Sequence, residues 1–436
     1  MKKLILMISC LYFVSPALSS PADINLVWFK SFNDDILMNY LYQAQECNHD
    51  INVARKNILK YRQNKNLKIS NEFPYASVGS DYLLLKVPKL AIPNNDIQTN
   101  SFALPFMTIW ELDYLGKKYD EIKKARIDVE KSIYELKASS LIVASDLACA
   151  YFNAANLNKQ IELQEKIIEL SNEIHKKRQK MFENGVISAT ELNNSEDNLI
   201  YEVNVLENLK KEKETHMTQI AVLIGKSPYN INDIEVSSFD KINYTGTMPE
   251  TLNGSIILNR PDIINLEAEM KKTKLDILIA KKDFLPTINI FGILAFSTIV
   301  QNFNWQGALA ALSAGANQTI FDGGRRIFNL KKRKIEYDIA LEKYLNADIN
   351  ALKEVNDALY ILKKDAEIYK NQKKRFDIAN NNFVNVFKSY KEGVKSLIDY
   401  MDENIYFVKK NSELINSKNN QLLDLITLYK AVGGAL

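Results

Sequence analysis

The sequence predicts a mostly α-helical protein with a minority of membrane-spanning β-strands, built from a helix–strand–strand–helix–helix unit that occurs twice. Three observations predict it: turn-forming residues are scarce, the chain matches itself at a fixed offset, and strand periodicity interrupts long heptads in two places. The chain of 436 residues holds 14 Gly and 10 Pro, too few to punctuate two or three compact domains, so long uninterrupted elements are expected. Gly116, Gly185 and Gly225 recur as Gly324, Gly393 and Gly433, each 208 positions on, while Asp50 and Pro74 recur as Asp262 and Pro286, 212 on. The four-residue difference falls between Pro74 and Gly116, where a surface loop is expected. Around the central glycines the text itself repeats, Gly185-Val186-Ile187-Ser188 against Gly393-Val394-Lys395-Ser396, with Glu191 against Asp399. That is a tandem duplication.

Taken in order, residues 1–19 read as a signal peptide: two lysines, an apolar run from Leu4 to Val14, then small residues at Ala17 and Ser19 before a cut near Ser20. The run is too short to span a bilayer. Cys10, after Met-Ile-Ser, loosely matches a lipidation site with only nine residues before it, and its modification stays open. Residues 20–225 form the first repeat, 226–257 a connecting segment and 258–436 the second repeat.

In the first repeat helices are expected at about 34–70, 117–184 and 189–225. Residues 117–184 lack Gly and Pro, and Val129, Leu136, Val143, Ala150 and Leu157 interleave with Ile133, Leu147, Ala154, Ile161 and Ile168 at alternating spacings of four and three. This is a heptad seam broken only at Ser140, Gln164 and Ser171. A helix of that length runs about 100 Å and must pack laterally on other long helices. The second repeat offers helices at about 262–284, 325–392 and 397–432, with a seam through Leu345, Leu352, Leu359, Val355, Leu362 and Tyr369. Leu192, Leu199, Leu206 and Ile220 recur in phase as Tyr400, Phe407, Leu414 and Leu428.

Helical periodicity disappears at about 74–113 and 286–320. There Ile288, Ile290, Leu294 and Phe296 share one face, and Ala308, Ala310, Leu312, Ala314 and Ala316 alternate with Ser313, Gly315 and Asn317. Each region holds two strands of about ten residues, the length of a tilted bilayer-crossing strand. Four strands cannot close a barrel, and open edges in lipid leave unpaired backbone groups. Closure requires several chains, and three would give twelve strands.

Composition removes other classes. With 56 Lys+Arg against 53 Asp+Glu the formal charge is +3, or +1 without Lys2 and Lys3. No basic surface for a phosphate backbone results, so nucleic acid is not an expected partner. Three Cys (10, 47, 149) and three His (49, 175, 216) give neither zinc spacing nor a disulfide framework. Nucleophilic catalysis needs a base within hydrogen-bond reach of the nucleophile, and the histidines lie in helical, polar surroundings, so no enzyme and no cofactor are expected. Gly323-Gly324 lacks the Lys-Ser/Thr pair of a P-loop and reads as a turn.

Leu258-Asn259-Arg260-Pro261-Asp262-Ile263 with Glu267-Ala268-Glu269 and Phe284-Leu285-Pro286 resembles a signature of the TolC-like outer-membrane efflux proteins, in the branch serving resistance-nodulation-division pumps. Trp28-Phe29 with Phe32 and Asp34, Trp110-Glu111-Leu112-Asp113 with Gly116, Phe321-Asp322-Gly323-Gly324-Arg325-Arg326, and Leu428-Tyr429-Lys430-Ala431-Val432-Gly433-Gly434 follow in the family's order. The resemblance implies a homotrimer: a twelve-stranded outer-membrane β-barrel continuous with a long periplasmic α-helical barrel, girdled by an equatorial region to which residues 226–257 contribute. It implies an exit duct for small molecules, reaching from outer-membrane lipid into the periplasm. A periplasmic adaptor and an inner-membrane transporter of the resistance-nodulation-division type would be its partners. A type I protein-secretion duct and, from another class, a structural coiled coil are the alternatives.

Two sets of site residues follow. Gly185 and Gly393 stand where long helices end in left-handed caps, and Ser188…Glu191 and Ser396…Asp399 have capping-box spacing. By the resemblance these turns, with Val186 and Val394, are periplasmic tips where the adaptor docks. Asp399 and Asp402 share a helix face just after the second tip and match the paired aspartates that resembling proteins carry at a constricted periplasmic gate. The first repeat has Glu191 and Asn194 there, so three chains would present six aspartates from the second copy alone.

Overall fold

The computed structural model describes residues 26–87, 97–229, 231–247, 249, 254–299 and 305–435. The signal peptide and Cys10 lie outside them. After a 3-10 segment, Leu26–Phe32, the helices are α1 (Asp35–Cys47), α2 (His49–Ser70), α3 (Lys117–Glu183), α4 (Ala189–Leu223), α5 (Pro261–Lys282), α6 (Arg325–Lys391) and α7 (Leu397–Ala431). The strands are β1 (Tyr75–Val78), β2 (Asp81–Val87), β3 (Ile97–Leu112), β4 (Thr287–Ile299) and β5 (Trp305–Asn317).

One expected helix divides in two. The segment expected at 34–70 breaks at Asn48, whose φ/ψ of −64/131 is extended and whose side-chain oxygen accepts from the Asp50 and Ile51 N–H groups. Its amide also donates to the Leu223 carbonyl at 2.9 Å. Capping and tertiary bonding there outweigh the continuous helical pattern.

The sheet is antiparallel in the order β1-β3-β4-β5, with β2 also on β3. β1 and β2 are one crossing strand in a single register, Val78 opposite Phe106 and Asp81 opposite Ala103. The gap faces Pro105, which accepts from the Gly79 N–H at 2.8 Å but has no N–H to return. The chain thus contributes four crossings. The two apolar sets read from the sequence fall on one face: Ile288, Ile290, Leu294 and Phe296 stand opposite Ala316, Ala314, Ala310 and Ala308, flanked by Trp110, Phe106 and Leu104 of β3.

α3 and α6 each span 67 residues, and each packs on a 35-residue partner, α4 or α7, that follows its tip. α3 is the centre of the protomer, touching α1, α2, α4, α5 and α7, and its seam is buried through Leu136, Val143, Leu147, Ala150, Ala154 and Leu157. One 18-residue window of α3 reaches a mean hydropathy of 1.2 and is 67% buried within the chain, as a core helix is. α6 contacts chiefly α5 and α7. Of its expected seam Val355 and Leu362 are buried, while Leu345 and Leu352 are each 44% exposed. The missing neighbour is the reason: an edge helix can bury only one flank.

Candidate functional site

The tips form as their residues dictate. At Gly185 (φ 70°) the N–H groups of Gly185 and Val186 reach back to the Phe182 and Met181 carbonyls, and at Gly393 (φ 75°) those of Gly393 and Val394 reach Tyr390 and Ser389. Both turns are Schellman caps, in which glycine supplies the left-handed residue. Nothing lies within 4 Å of where a Cβ would stand on either glycine, so the constraint there is backbone conformation and not crowding. Val186 and Val394, 64% and 75% exposed, project beyond the caps.

The next helices start unequally. Ser396 and Asp399 make a complete capping box, each backbone N–H donating to the other's side chain at 3.1 Å. At the first tip only the Glu191 N–H donates to Ser188 Oγ, at 3.3 Å. The expected box at Ser188…Glu191 is therefore half made, because the longer Glu191 side chain returns no bond to the Ser188 N–H among the described residues.

The two gate candidates lie in one helix start with different environments. The Asp399 carboxylate is engaged in the cap, and the Ser396 backbone and side chain hold it below the usual carboxylate range. Asp402, solvent-accessible in the lone protomer, has its carboxyl pushed up, first by desolvation, with Arg178 of α3 opposing and Asp399 adding. The second tip thus stands against the first hairpin.

Sequence reasoning missed what lies above the tips. Between α6 and α7 an aromatic ladder runs through Phe376, Phe383, Phe387, Tyr390, Tyr400 and Phe407, with centroid separations of 5.2 to 6.4 Å. The 7- and 4-residue spacing of Phe376, Phe383 and Phe387 on α6 was the signal. Across α3 and α7 the packing is instead polar: Asn153 with Asn419, Asn156 with Asn416, and Gln160 with Ser412 and Asn416. Gln164, a break in the heptad seam, donates to the buried Glu202 carboxylate at 2.7 Å, which also accepts from Lys409 at 2.7 Å. His175 pairs with Ser195 at 2.9 Å.

The scattered motifs converge on one hub. Trp28 stacks on Tyr429 at 4.2 Å, Phe29 and Phe32 are buried beneath it, and Tyr151 donates to both Asp34 oxygens at 2.9 and 3.0 Å. Arg260, buried, pairs with Asp262 and Glu354 at 2.7 Å each and donates to the Ala431 carbonyl at 2.8 Å. The connecting segment closes over this hub: Phe239 and Ile242 are buried and the Ser237 N–H donates to the Tyr151 hydroxyl. The strand-to-helix joins use aspartates, Asp113 accepting from the Lys117 and Tyr119 N–H groups, and Asp322 from those of Gly324 and Arg326.

A family model described as outer membrane efflux protein matches residues 40–226 and 252–434. The chain belongs to that family. This outer membrane efflux protein is similar to the solvent efflux pump outer membrane protein SrpC of Pseudomonas putida, 23% identical over 92% of this chain and 86% of the relative. It is also similar to nodulation protein T of Rhizobium leguminosarum bv. trifolii, 20% identical over 89% and 84%. Its fold matches the Campylobacter jejuni CmeC outer membrane channel with a TM-score of 0.86 over 97% of this chain and 91% of that one, at 21% identity. The open state of the Neisseria gonorrhoeae MtrE channel matches with a TM-score of 0.76 over 92% and 89%, at 21% identity. The protein is thus an outer membrane efflux protein, with the fold of the outer-membrane channels it matches.

Proposed function

We propose that three copies of this chain close a twelve-stranded barrel and a helical tube, and that the trimer is the exit duct of a tripartite pump passing small molecules without chemical change. The observation that carries this reading is the pair of unpartnered edges: among the described residues the β1/β2 strand and β5 each pair on one side only, and α6 keeps a long apolar flank uncovered beside β5. In lipid each open edge costs several kcal/mol per unpaired group, so the edge strand of one copy is read as pairing with β5 of the next. The face carrying Trp110, Phe106 and Leu294 then meets lipid. Residues 1–19 act as a cleaved export signal, and 226–257 form the equatorial girdle.

In this reading the tips, Gly185, Val186, Ser188 and Glu191 with Gly393, Val394 and Ser396, receive a periplasmic adaptor. That adaptor joins the duct to an inner-membrane transporter of the resistance-nodulation-division type. Asp399 and Asp402 from three chains form an acidic ring at the periplasmic gate, which favours cations. Heat-resistant trimer migration and outer-membrane fractionation test the assembly, and a monomer in the soluble fraction would refute it. Gly185→Val with Gly393→Val should leave the trimer inserted and weaken adaptor cross-linking; full efflux would count against docking. Asp399→Ala with Asp402→Ala should lower cation preference and block by trivalent cations, and unchanged single-channel selectivity would remove the ring.

A further inference from the structure

We propose that the lumen wall of the barrel carries an apolar collar, which binds the apolar body of a passing solute in proportion to its apolar surface. The proposal rests on the duct reading above, and it adds what the wall itself selects.

The two faces of the sheet can be assigned from chemistry. One face, that of Ile288, Ile290, Leu294 and Phe296, bears no charged or amide side chain between Leu104 and Trp110 or along β4. The other bears Glu111 and Asn289 near the helices and Asp81, Ser101 and Ser297 farther out, so it is the lumen side of a lipid-bounded barrel. Barrel interiors are ordinarily polar along their length. This one carries charges and amides only toward its ends, and its middle has no polar side chain but the hydroxyls of Tyr75, Ser77 and Ser313.

Between those ends three successive cross-strand rows lie on the lumen face. The first is Tyr75, Ile109, Phe291 and Ser313; the second is Ser77, Met107, Ile293 and Ala311; the third is Pro105, Ala295 and Leu309. None of these residues is charged and none is an amide. Tyr75, Ile109, Phe291 and Leu309 are 68%, 52%, 37% and 58% exposed, and the main packing partners of the strands are one another, so no helix among the described residues covers the band. Four residues of strand at about 3.3 Å each, tilted about 40°, make the collar about 10 Å tall.

A wall of this kind attracts the apolar body of a passing solute by removing both surfaces from water, while a hydrated ion finds no ligand to replace its shell. The flanking rows of Glu111 with Asn289, and of Asp81 with Ser297, return the wall to water on either side. An amphiphile is therefore held only transiently, as conduction through a pore requires.

The purified trimer in planar bilayers, exposed to tetraalkylammonium ions from tetramethyl to tetrabutyl, separates the collar from the acidic tip because charge stays constant along the series. Block should tighten with alkyl length in the unaltered protein. Phe291→Ser with Ile293→Ser should weaken tetrabutylammonium block about tenfold and leave tetramethylammonium block unchanged. The independent pair Met107→Ser with Ile109→Ser should do the same, so the test survives failure of either variant to insert. Block that ignores alkyl length, or a length dependence unchanged in both variants, overturns the collar. Protein that inserts without conducting at all is a different result and overturns the duct reading itself.

Discussion

α3 and α6 are equal in length at 67 residues, descend from one duplicated unit, and end in the same cap, yet α3 buries 25 residues and α6 buries 6. Matching positions 208 apart make the contrast sharp: Leu141 is 6% exposed and Ile349 67%, Phe152 is 0% exposed and Tyr360 62%. The apolar residues survive in both copies, so what differs is the neighbour. α3 is surrounded by its own chain, whereas α6 lies at the protomer's edge next to β5. Local periodicity tells which residues want burial and is silent on whether the same chain or another one provides it.

The largest test of that contrast truncates the same kind of side chain in both helices. Phe152→Ala should cost the protomer about 3–5 kcal/mol, seen as a lower denaturant midpoint. Tyr360→Ala should cost the protomer under about 0.5 kcal/mol and show itself only in the heat resistance of the oligomer. Equal losses in the two helices would mean that α6 is not an assembly face.

Next in size is the link between the edge helix and the hub. Arg260→Ala removes the ion pair to Glu354 and the Ala431 carbonyl contact that tie α6 and α7 to the start of α5, along with the local pair to Asp262. A loss of about 2–3 kcal/mol is expected for hydrogen bonds to charged groups at a buried site, and hydrogen exchange should speed up around Glu354 and Ala431 before it does in α3.

The tips give a smaller contrast. Ser396→Ala breaks a complete capping box and should cost about 1 kcal/mol, while Ser188→Ala removes a single bond and should cost less. Helix-start fraying by hydrogen exchange compares the two in one molecule, and a larger loss at Ser188 would reverse the ranking.

The smallest effect is a pH profile. Asp402 is raised by desolvation and Asp399 is lowered by the Ser396 bonds. As pH falls, Asp402 therefore loses its charge first, above the ordinary carboxylate value, and Asp399 last, below it. Cation preference of the channel should decline in two steps, with Asp402→Asn erasing the upper one. The stability supplied by Asp399 has the opposite sense from that of a raised acid: it is present above the unfolded-state value and lost as pH drops through the lowered one. A single-step profile would remove the distinction between the two aspartates.

Much of this protein was legible in its residues. The duplication, the caps at Gly185 and Gly393, the two paired-strand regions and the apolar face of Ile288 to Phe296 all follow from local rules of spacing, which act within a few residues or along one strand. The break at Asn48 did not, because the bond that uses it comes from Leu223, 175 positions away. Nor did the half-made box at Glu191, which depends on where one extra methylene points. Gln164 read as a flaw in a seam until the fold placed Glu202 and Lys409 against it. That the face opposite Ile288 to Phe296 carries no charge or amide in its middle required the cross-strand register, since alternation along one strand does not say what lies opposite. Sequence alone determined the elements and their caps because those are set by backbone geometry close by in the chain. The tertiary structure decided the hub, the polar seam between hairpins and the uncovered flank of α6, because burial and pairing are properties of neighbours far apart in sequence.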